Sequence, residues 1–239
     1  MECVFAPALE LGQSWYELAD PEELRHVRAL RLRPGERVAL TNGQGLLGVA
    51  EFVGYGPRSA TARFRLLGEL PSGELPVPVG IALGILHERE RLEFAVEKAV
   101  ELGVREICLL WTRYTQPRAV RPERLRAKIR AAVKQSHRAW MPQLRGPMTL
   151  EECVQSVLPA YRQRVIADSS GDVPQPLKVE PTVLLIGPEG GWAAEELELV
   201  RCRAEAVWRL APRRLRSETA VVLALGFLIA GWAEAVLAG

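Results

Sequence analysis

A glycine-rich loop follows a short apolar run in the last quarter of the chain. Residues 183–186 read VLLI, and residues 187–191 read GPEGG. Glycine lets a backbone turn sharply and approach a ligand closely, and ligands of open α/β sheets bind where strands end. The loop lacks the Gly-Lys-Ser/Thr ending of a P-loop and does not match Gly-x-Gly-x-x-Gly. Alone, it predicts either a ligand cradle or only a tight turn from strand to helix.

A second loop whose residues could bind a ligand follows the next predicted strand, Ala206–Leu210. Residues 211–216 read APRRLR, and Ser217 then opens a helix that its side chain is placed to cap. The loop combines arginines with the free amide groups of a helix N-terminus, both of which attract anionic groups. Two loops at the ends of two strands are expected to enclose one ligand.

Basic residues are concentrated in two segments, although the net charge is only +2. Residues 113–145 contain ten basic residues against the single acid Glu123, and residues 201–216 contain six arginines against Glu205. This clustering indicates a local anion-binding face, with nucleic acid as the expected partner. The alternative is a solvated helix face, but the acids in the first segment are too few to form alternating pairs.

The N-terminal residues predict a small β-barrel with one helix. The helix starts at Asp20 as N-cap with Pro21 in its first turn. An Asn-Gly turn between Arg37–Leu40 and Leu46–Phe52 and the alternating pattern of Ala60–Leu67 predict strands.

After a Pro-rich linker, strands alternate with helices. The predicted strands are Val79–Leu86, Glu106–Trp111, Arg164–Ala167, Thr182–Ile186 and Ala206–Leu210, and the predicted helices are Arg91–Leu102, Arg121–Trp140, Glu195–Arg203 and Ser217–Leu237. This alternation predicts an α/β domain with a mainly parallel sheet.

Several classes of site and location are excluded by composition. The four cysteines are far apart, with no C-x-x-C pair, which argues against zinc and for isolated buried thiols in a reducing compartment. The N-terminus lacks a secretory pattern, so we expect a cytoplasmic protein. The fifteen uncharged residues 219–233 are fewer than the roughly 20 that span a bilayer, which predicts a helix buried in the core or at a subunit interface.

Taken together, the GPEGG loop and the segment LRSETA at residues 215–220 resemble the SPOUT class of methyltransferases, whose C-terminal part forms a trefoil knot. Within that class the chain is most similar to the bacterial 16S ribosomal RNA uridine-N3 methyltransferases. Three further motifs carry the resemblance in order: LRHVRALR with PGE at residues 24–36, EKAVELGV at 97–104, and QSHR with Pro142 at 135–142. The resemblance implies a PUA-like β-barrel RNA-binding domain at 1–70 and a SPOUT domain at 76–239.

The chain departs from the family's pattern at three places. Ala211 stands where glycine is usual, Lys134 stands where glutamate is common, and Thr112–Gln116 fits the family's Arg-Ser motif poorly. The first change is small, and the other two bear on RNA contacts.

The resemblance also implies roles for matching residues, with S-adenosyl-L-methionine as the cofactor and no metal. The cofactor-binding residues would be Leu185, Ile186, Gly187, Pro188, Glu189, Gly190, Gly191, Leu210, Leu215, Arg216, Ser217 and Thr219. It further implies a homodimer with the pocket near the subunit interface. The helix after Thr219, with Gly226 and Gly231, is the segment expected to pack closely there.

Methylation at uracil N3 requires loss of the N3 proton. Arg216 is the predicted stabiliser of the anionic base, and Glu218 or Glu189 is the predicted proton acceptor. The alternatives are a phosphate contact or salt bridge for Arg216, and a helix N-terminal acid favoured by the dipole for Glu218. RNA-backbone contacts are predicted for Arg25, Arg28, Arg31, Lys128, Arg130, Lys134 and Arg138, with ordinary surface charge as the alternative.

Three functional hypotheses follow. The first is methylation of uridine N3 in 16S ribosomal RNA of the small subunit. The second is a SPOUT enzyme that modifies a ribose 2′-hydroxyl or another base of ribosomal or transfer RNA. The third is a non-catalytic RNA-binding protein, which would bind no cofactor.

Overall fold

The computed structural model describes residues 1–116 and 119–237 and divides the chain into two compact units. One unit contains Met1–Glu74 and Arg130–Met141, and the other contains Leu75–Ile129 and Pro142–Gly239. The domains expected from the sequence were residues 1–70 and 76–239, so Arg130–Met141 was not expected to cluster with the N-terminal residues.

The first unit is a five-stranded sheet with one helix. Its elements are β1 (Cys3–Phe5), β2 (Trp15–Leu18), α1 (Pro21–Leu30), β3 (Arg37–Thr41), β4 (Leu47–Tyr55) and β5 (Ala62–Glu69). The order is β1-β3-β4-β5-β2, antiparallel except for the parallel β1–β3 pair. The sheet curls into a half-barrel around a core that includes Phe52 and Phe64.

Helix α1 begins as the sequence predicts. The Asp20 carboxylate accepts hydrogen bonds from the backbone amides of Glu22 and Glu23 at 3.0 and 2.9 Å. This cap satisfies amides that a helix N-terminus otherwise leaves unpaired. Leu24 and Val27 are buried in the unit's core, so the opposite face of the helix points outward.

The second unit alternates strands and helices, as predicted. Its elements, with α3 shared between the units, are β6 (Val79–Gly84), α2 (Arg89–Glu101), β7 (Glu106–Trp111), α3 (Pro122–Gln135), β8 (Gln143–Thr149), α4 (Leu150–Ser156), β9 (Gln163–Asp172), β10 (Thr182–Ile186), α5 (Ala194–Arg201), β11 (Ala206–Trp208), α6 (Ser217–Gly231) and α7 (Ala233–Leu237). The sheet order is β11-β9-β10-β6-β7-β8, and every pair is parallel. Every residue of β6 and β10 is buried, which explains their continuous apolar sequences.

Four elements differ from expectation. The strand β8 and helix α4 were not predicted, because β8 lies at the sheet edge and has neither an apolar run nor clean alternation. Helix α3 ends at Gln135 and not at Trp140, because His137 adopts the left-handed conformation with φ of 53°. The last predicted helix is interrupted at Trp232, which separates α6 from α7.

The cysteines are not all isolated and buried. Cys3, Cys108 and Cys153 are buried, whereas Cys202 is exposed. The sulfur atoms of Cys108 and Cys153 lie 3.9 Å apart, and burial raises the pKa of the Cys3 thiol to about 12. Within the described residues, no group of three or more His, Cys, Asp or Glu side chains is arranged to hold a metal ion.

The uncharged segment that begins at Thr219 is a packed helix. Helix α6 packs on α2 and β10 and buries Val221, Leu225 and Leu228. Among the described residues, none of the helices combines the length and the apolar character that a membrane-spanning helix needs.

Candidate active site

A cavity of about 700 Å³ lies towards the carboxyl ends of β9, β10 and β11. Its walls come from Ala167–Ser169, Ile186–Trp192 and Trp208–Leu215, together with Ser217 and Ala220 of α6. The carboxyl ends of neighbouring parallel strands meet at one edge of a sheet, so three distant segments share one cavity. Its volume is in the range of small-molecule sites.

The GPEGG loop is both a tight turn and a wall of this cavity. The Gly191 amide donates to the Pro188 carbonyl at 2.9 Å, and Gly191 has a φ of +76°, where glycine is favoured. A methyl group on Gly84, the last residue of β6, would overlap Pro188. The loop therefore lies directly on the end of the neighbouring strand.

The second loop is joined to the first by a hydrogen bond. The Arg214 guanidinium donates from Nη2 to the Glu189 carbonyl oxygen at 2.7 Å. On the other side, the Glu189 carboxylate accepts from the His87 amide at 2.9 Å. Both loops line the same cavity, and the GPEGG loop is fixed from both sides. That the two loops enclose a ligand stays a prediction.

The start of α6 differs in one detail from the sequence prediction. The N-cap residue is Arg216, without a side-chain capping bond, and Ser217 is the first helical residue. The prediction that Ser217 caps the helix is wrong, because Ser217 is one position inside it. Its buried side chain instead lines the cavity.

Most of the predicted cofactor-binding residues meet at this cavity. Those that line it are Ile186, Gly187, Pro188, Glu189, Gly190, Gly191, Leu210, Leu215 and Ser217. Leu185 is buried inside β10, and Arg216 and Thr219 are exposed without lining the cavity. The structure therefore brings together nine of these twelve residues and leaves three outside.

The two residues predicted to be catalytic do not line the cavity. The Arg216 side chain is exposed. Glu218 is buried, and its Oε1 lies 3.7 Å from Nε of Arg91 on α2. Glu218 thus faces a cation and not the 700 Å³ space.

Sequence reasoning missed several residues that line the cavity. Asp168 projects from β9, and its Oδ1 accepts from the Ser170 amide and hydroxyl at 2.8 and 2.6 Å. Trp192 and Trp208 are buried in the wall, and the indole nitrogen of Trp192 has no partner among the described residues. A carboxylate directly after the apolar run of β9 was the one signal that would have identified Asp168.

Two family models match this chain. The model described as RNA methyltransferase domain matches residues 73–229, and the model described as RNA methyltransferase PUA domain matches residues 18–65. The first match covers more than half of the chain and contains the whole cavity. The chain belongs to this RNA methyltransferase family.

Relatives and solved structures agree with this membership. The ribosomal RNA small subunit methyltransferase E of Mycobacterium bovis is 32% identical, over 87% of this chain and 84% of its own length. The Bacillus subtilis protein of the same name is 25% identical, over 85% and 86%. The Neisseria gonorrhoeae ribosomal RNA small subunit methyltransferase E, solved with bound S-adenosyl methionine, has a TM-score of 0.82 at 26% identity and covers 96% of this chain and 97% of its own. A Legionella pneumophila structure in complex with the same cofactor gives a TM-score of 0.82 at 28% identity, again over 96% and 97%.

The arginines of α1 in this RNA methyltransferase are accessible. Arg25, Arg28 and Arg31 are all exposed. The Arg28 guanidinium donates to the Ser59 carbonyl at 2.5 Å, and Arg31 ends the helix in the left-handed conformation. Their predicted contact with RNA stays a prediction, and their exposure is compatible with it.

The basic residues of α3 and the turn after it are engaged in ion pairs. Arg138, only 4% exposed, pairs with Glu74 at 2.6 Å. Lys134 lies 3.0 Å from Glu23, a carboxylate that is itself buried. Their partners come from distant segments, so the scarcity of acids within residues 113–145 does not leave these cations unpaired.

The remaining two residues of this basic set are partly exposed. Arg130 pairs with Glu22 at 2.9 Å, and Lys128 lies 3.3 Å from Glu97. Hydrogen bonds from Lys98 and then Lys128 hold the pKa of Glu97 below its usual range. RNA binding by the four stays a prediction, and the burial of Arg138 argues against a phosphate contact there.

We predict that Arg214→Ala loosens the GPEGG loop, because it removes the hydrogen bond to the Glu189 carbonyl. Amides of residues 187–192 should exchange hydrogen several-fold faster by mass spectrometry. Arg213→Ala is the matched control, since Arg213 lines the same cavity but is not the residue that donates this bond. Equal exchange in both variants and the unmodified protein would rule out this role for Arg214.

Proposed function

We propose that this RNA methyltransferase transfers a methyl group from S-adenosyl-L-methionine to N3 of a uridine in 16S ribosomal RNA of the small subunit. The observation that carries the proposal is the 700 Å³ cavity lined jointly by the GPEGG loop and the second loop, residues 211–216. Family membership, the names of the relatives and the cofactor bound in two similar structures support it.

The residues of the cavity fit S-adenosyl-L-methionine. The turn at Gly187 and Gly191 allows close approach of a ligand to the backbone. Leu210 and Leu215 offer apolar surface for a purine ring, and Asp168 offers a carboxylate for hydroxyl or ammonium groups. The buried indole N–H of Trp192, with no protein partner in the described residues, is a donor that a polar ligand would satisfy.

The reaction forms a bond from uracil N3 to the methyl carbon. When bound, S-adenosyl-L-methionine supplies that methyl on a cationic sulfur, which keeps the electron pair of the broken S–C bond. The N3 proton must leave, and we propose that Glu189 accepts it. Its Oε1 accepts a hydrogen bond from the His87 amide at 2.9 Å, and Oε2 takes no part in that bond. Holding the base near this carboxylate supplies much of the rate enhancement.

Glu189 is favoured over Glu218 as the proton acceptor because of where each lies. Glu189 lines the 700 Å³ cavity, whereas Glu218, on α6, faces Arg91 and does not line it. The catalytic role of Arg216 stays a prediction, and a contact with RNA phosphate fits its exposed position.

A homodimer in the cytoplasm is part of the proposal, with small-subunit ribosomal RNA as the partner. Helices α2 and α6 pack together, and each carries an exposed phenylalanine, Phe94 and Phe227. Large exposed apolar side chains on adjacent helices favour association. A methyl group on Gly226 of α6 would contact nothing within 4 Å, which leaves room for a second chain.

The first test of the function is nucleoside analysis. We expect the protein, incubated with isotopically labelled S-adenosyl-L-methionine and 16S RNA or small subunits lacking the modification, to produce labelled 3-methyluridine by mass spectrometry. Label confined to ribose or to another base would support the second hypothesis and contradict this one. No transfer, together with no calorimetric binding of the cofactor, would support a non-catalytic RNA-binding protein.

A second prediction concerns the contact between β6 and the GPEGG loop. Gly84→Ala should weaken cofactor binding about 5- to 150-fold, because overpacking at Pro188 costs roughly 1–3 kcal/mol and displaces the loop. Gly80→Ala is the matched control: it overpacks the same strand against Tyr161, at the end remote from the loop. Calorimetry should find affinity lost only in Gly84→Ala, and parallel losses would mean that general destabilisation is responsible.

A third prediction concerns assembly. Sedimentation velocity should give twice the mass of one chain, and Phe227→Glu should shift the protein towards a monomer, because a charge would be buried in the interface. Leu11→Glu alters a more exposed apolar residue of the other unit and should leave the dimer intact. A monomeric unmodified protein would contradict the proposed assembly.

A further inference from the structure

We infer that a second, smaller cavity beside the cofactor cavity receives the target uracil, and that Arg91 hydrogen-bonds its carbonyl oxygens. The inference rests on the proposed function, since it presumes a uracil substrate. It assigns substrate recognition to residues of α2 and of the loop after β7, outside the two loops that enclose the cofactor cavity.

The second cavity has a volume of about 220 Å³. It is lined by His87, Glu88 and Arg91 from the start of α2, Tyr114 and Gln116 from the loop after β7, and Glu189 and Gly190. Glu189 and Gly190 also line the 700 Å³ cavity, so the two spaces share one wall. At roughly 30 Å³ per water, the smaller space corresponds to about seven water molecules, the scale of one pyrimidine ring with its two oxygens.

Tyr114 supplies an aromatic surface at this cavity. It is 52% exposed, and its Cβ lies so close to Gly190 that a methyl group there would collide with it. The buried carboxylate of Glu196 accepts from the Arg113 amide at 2.7 Å and from the Ala193 amide at 2.9 Å. These bonds tie the loop after β7 to the start of α5, so Tyr114 is held beside the GPEGG loop. Enzymes that modify an unpaired base commonly stack it on such a ring.

Arg91 supplies the hydrogen-bond donors. Its Nη2 pairs with Glu88 at 2.9 Å and its Nε lies 3.7 Å from Glu218. Guanidinium carries five N–H donors, more than the two contacts with Glu88 and Glu218 use. These donors match O2 and O4 of uracil, which both accept, but not the amino group of cytosine, which donates. Arg91 is therefore placed to select uracil and to stabilise the charge that its oxygens gain as the N3 proton leaves.

Glu218 acts on the base through Arg91 and is a positioning residue. Its side chain is nine-tenths buried, and Oε2 has no hydrogen-bond partner among the described residues. A buried carboxylate is costly unless a cation lies close to it. Glu218 therefore holds the Arg91 guanidinium at the wall of the cavity, which explains why an acid occupies the second position of α6.

The inference is tested by separating catalysis from cofactor binding. Arg91→Ala should lower kcat on 16S RNA about 100-fold or more, as loss of one charge-stabilising donor does, while the Kd for S-adenosyl-L-methionine stays within about twofold. Tyr114→Ala should raise the KM for RNA about 5- to 100-fold, because one stacking contact is lost. Glu218→Gln should lower kcat and leave KM unchanged.

The matched control is Arg89→Ala. Arg89 lies on the same helix but does not line the cavity. This variant should retain kcat/KM within about threefold. Unchanged cofactor affinity also verifies that each variant is folded.

The outcomes separate the two proposals. An unmodified protein that makes no 3-methyluridine would contradict the proposed function itself. An active unmodified protein whose Arg91→Ala variant keeps kcat within about threefold, or loses cofactor affinity in parallel, would overturn only the uracil-site inference.

Discussion

The close approach of Pro188 to the end of β6 is the contact on which the candidate site depends. It is possible only because Gly84 has no side chain. The contact fixes one side of the GPEGG loop, and the bond from the His87 amide to Glu189 holds it there. Arg214 holds the other side through the Glu189 carbonyl. One five-residue loop thereby becomes a partition held by contacts on both sides, with a cavity on each side, and such fixed placement favours pre-organised catalysis.

Elements buried on both faces were predictable from the sequence, and edge elements were not. Thr182–Ile186 and Glu106–Trp111 were predicted with the observed bounds, because an apolar run between turns identifies a central parallel strand. The strand Gln143–Thr149 is half-exposed at the sheet edge, so burial does not constrain its residue types. The family and its PUA and methyltransferase regions were also evident from the sequence, whereas the knot that the resemblance implies stays a prediction.

Charge was the least reliable guide to function. The basic segment around α3 looked unpaired because its neighbours in sequence contain almost no acids. In the folded chain, Lys134 meets Glu23 and Arg138 meets Glu74, partners that only the fold brings near. Lys134 stands where the family often has glutamate. The buried carboxylate of Glu23 explains the lysine, because a buried negative charge is stabilised by a cation next to it. The arginines of α1 carry no such carboxylate partner in the described residues, and their exposure makes them the better candidates for RNA phosphates.

The two acids proposed for the reaction, Glu189 and Glu218, differ mainly in their surroundings in the folded protein. Glu189 lies in the wall between the two cavities, where one carboxylate oxygen is tied to a backbone amide and the group remains partly accessible. Glu218 is buried behind Arg91 and touches neither space. A proton acceptor must reach the proton that it removes, whereas a positioning carboxylate must stay in contact with the cation that it holds. The same residue type therefore serves two roles. Glu189 lies in the wall that the two cavities share and is the proposed proton acceptor, whereas Glu218 contacts Arg91 and positions it. Sequence reasoning named Glu218 as the catalytic acid, with Glu189 as the other option, because neither the wall nor Arg91 is visible in the order of residues.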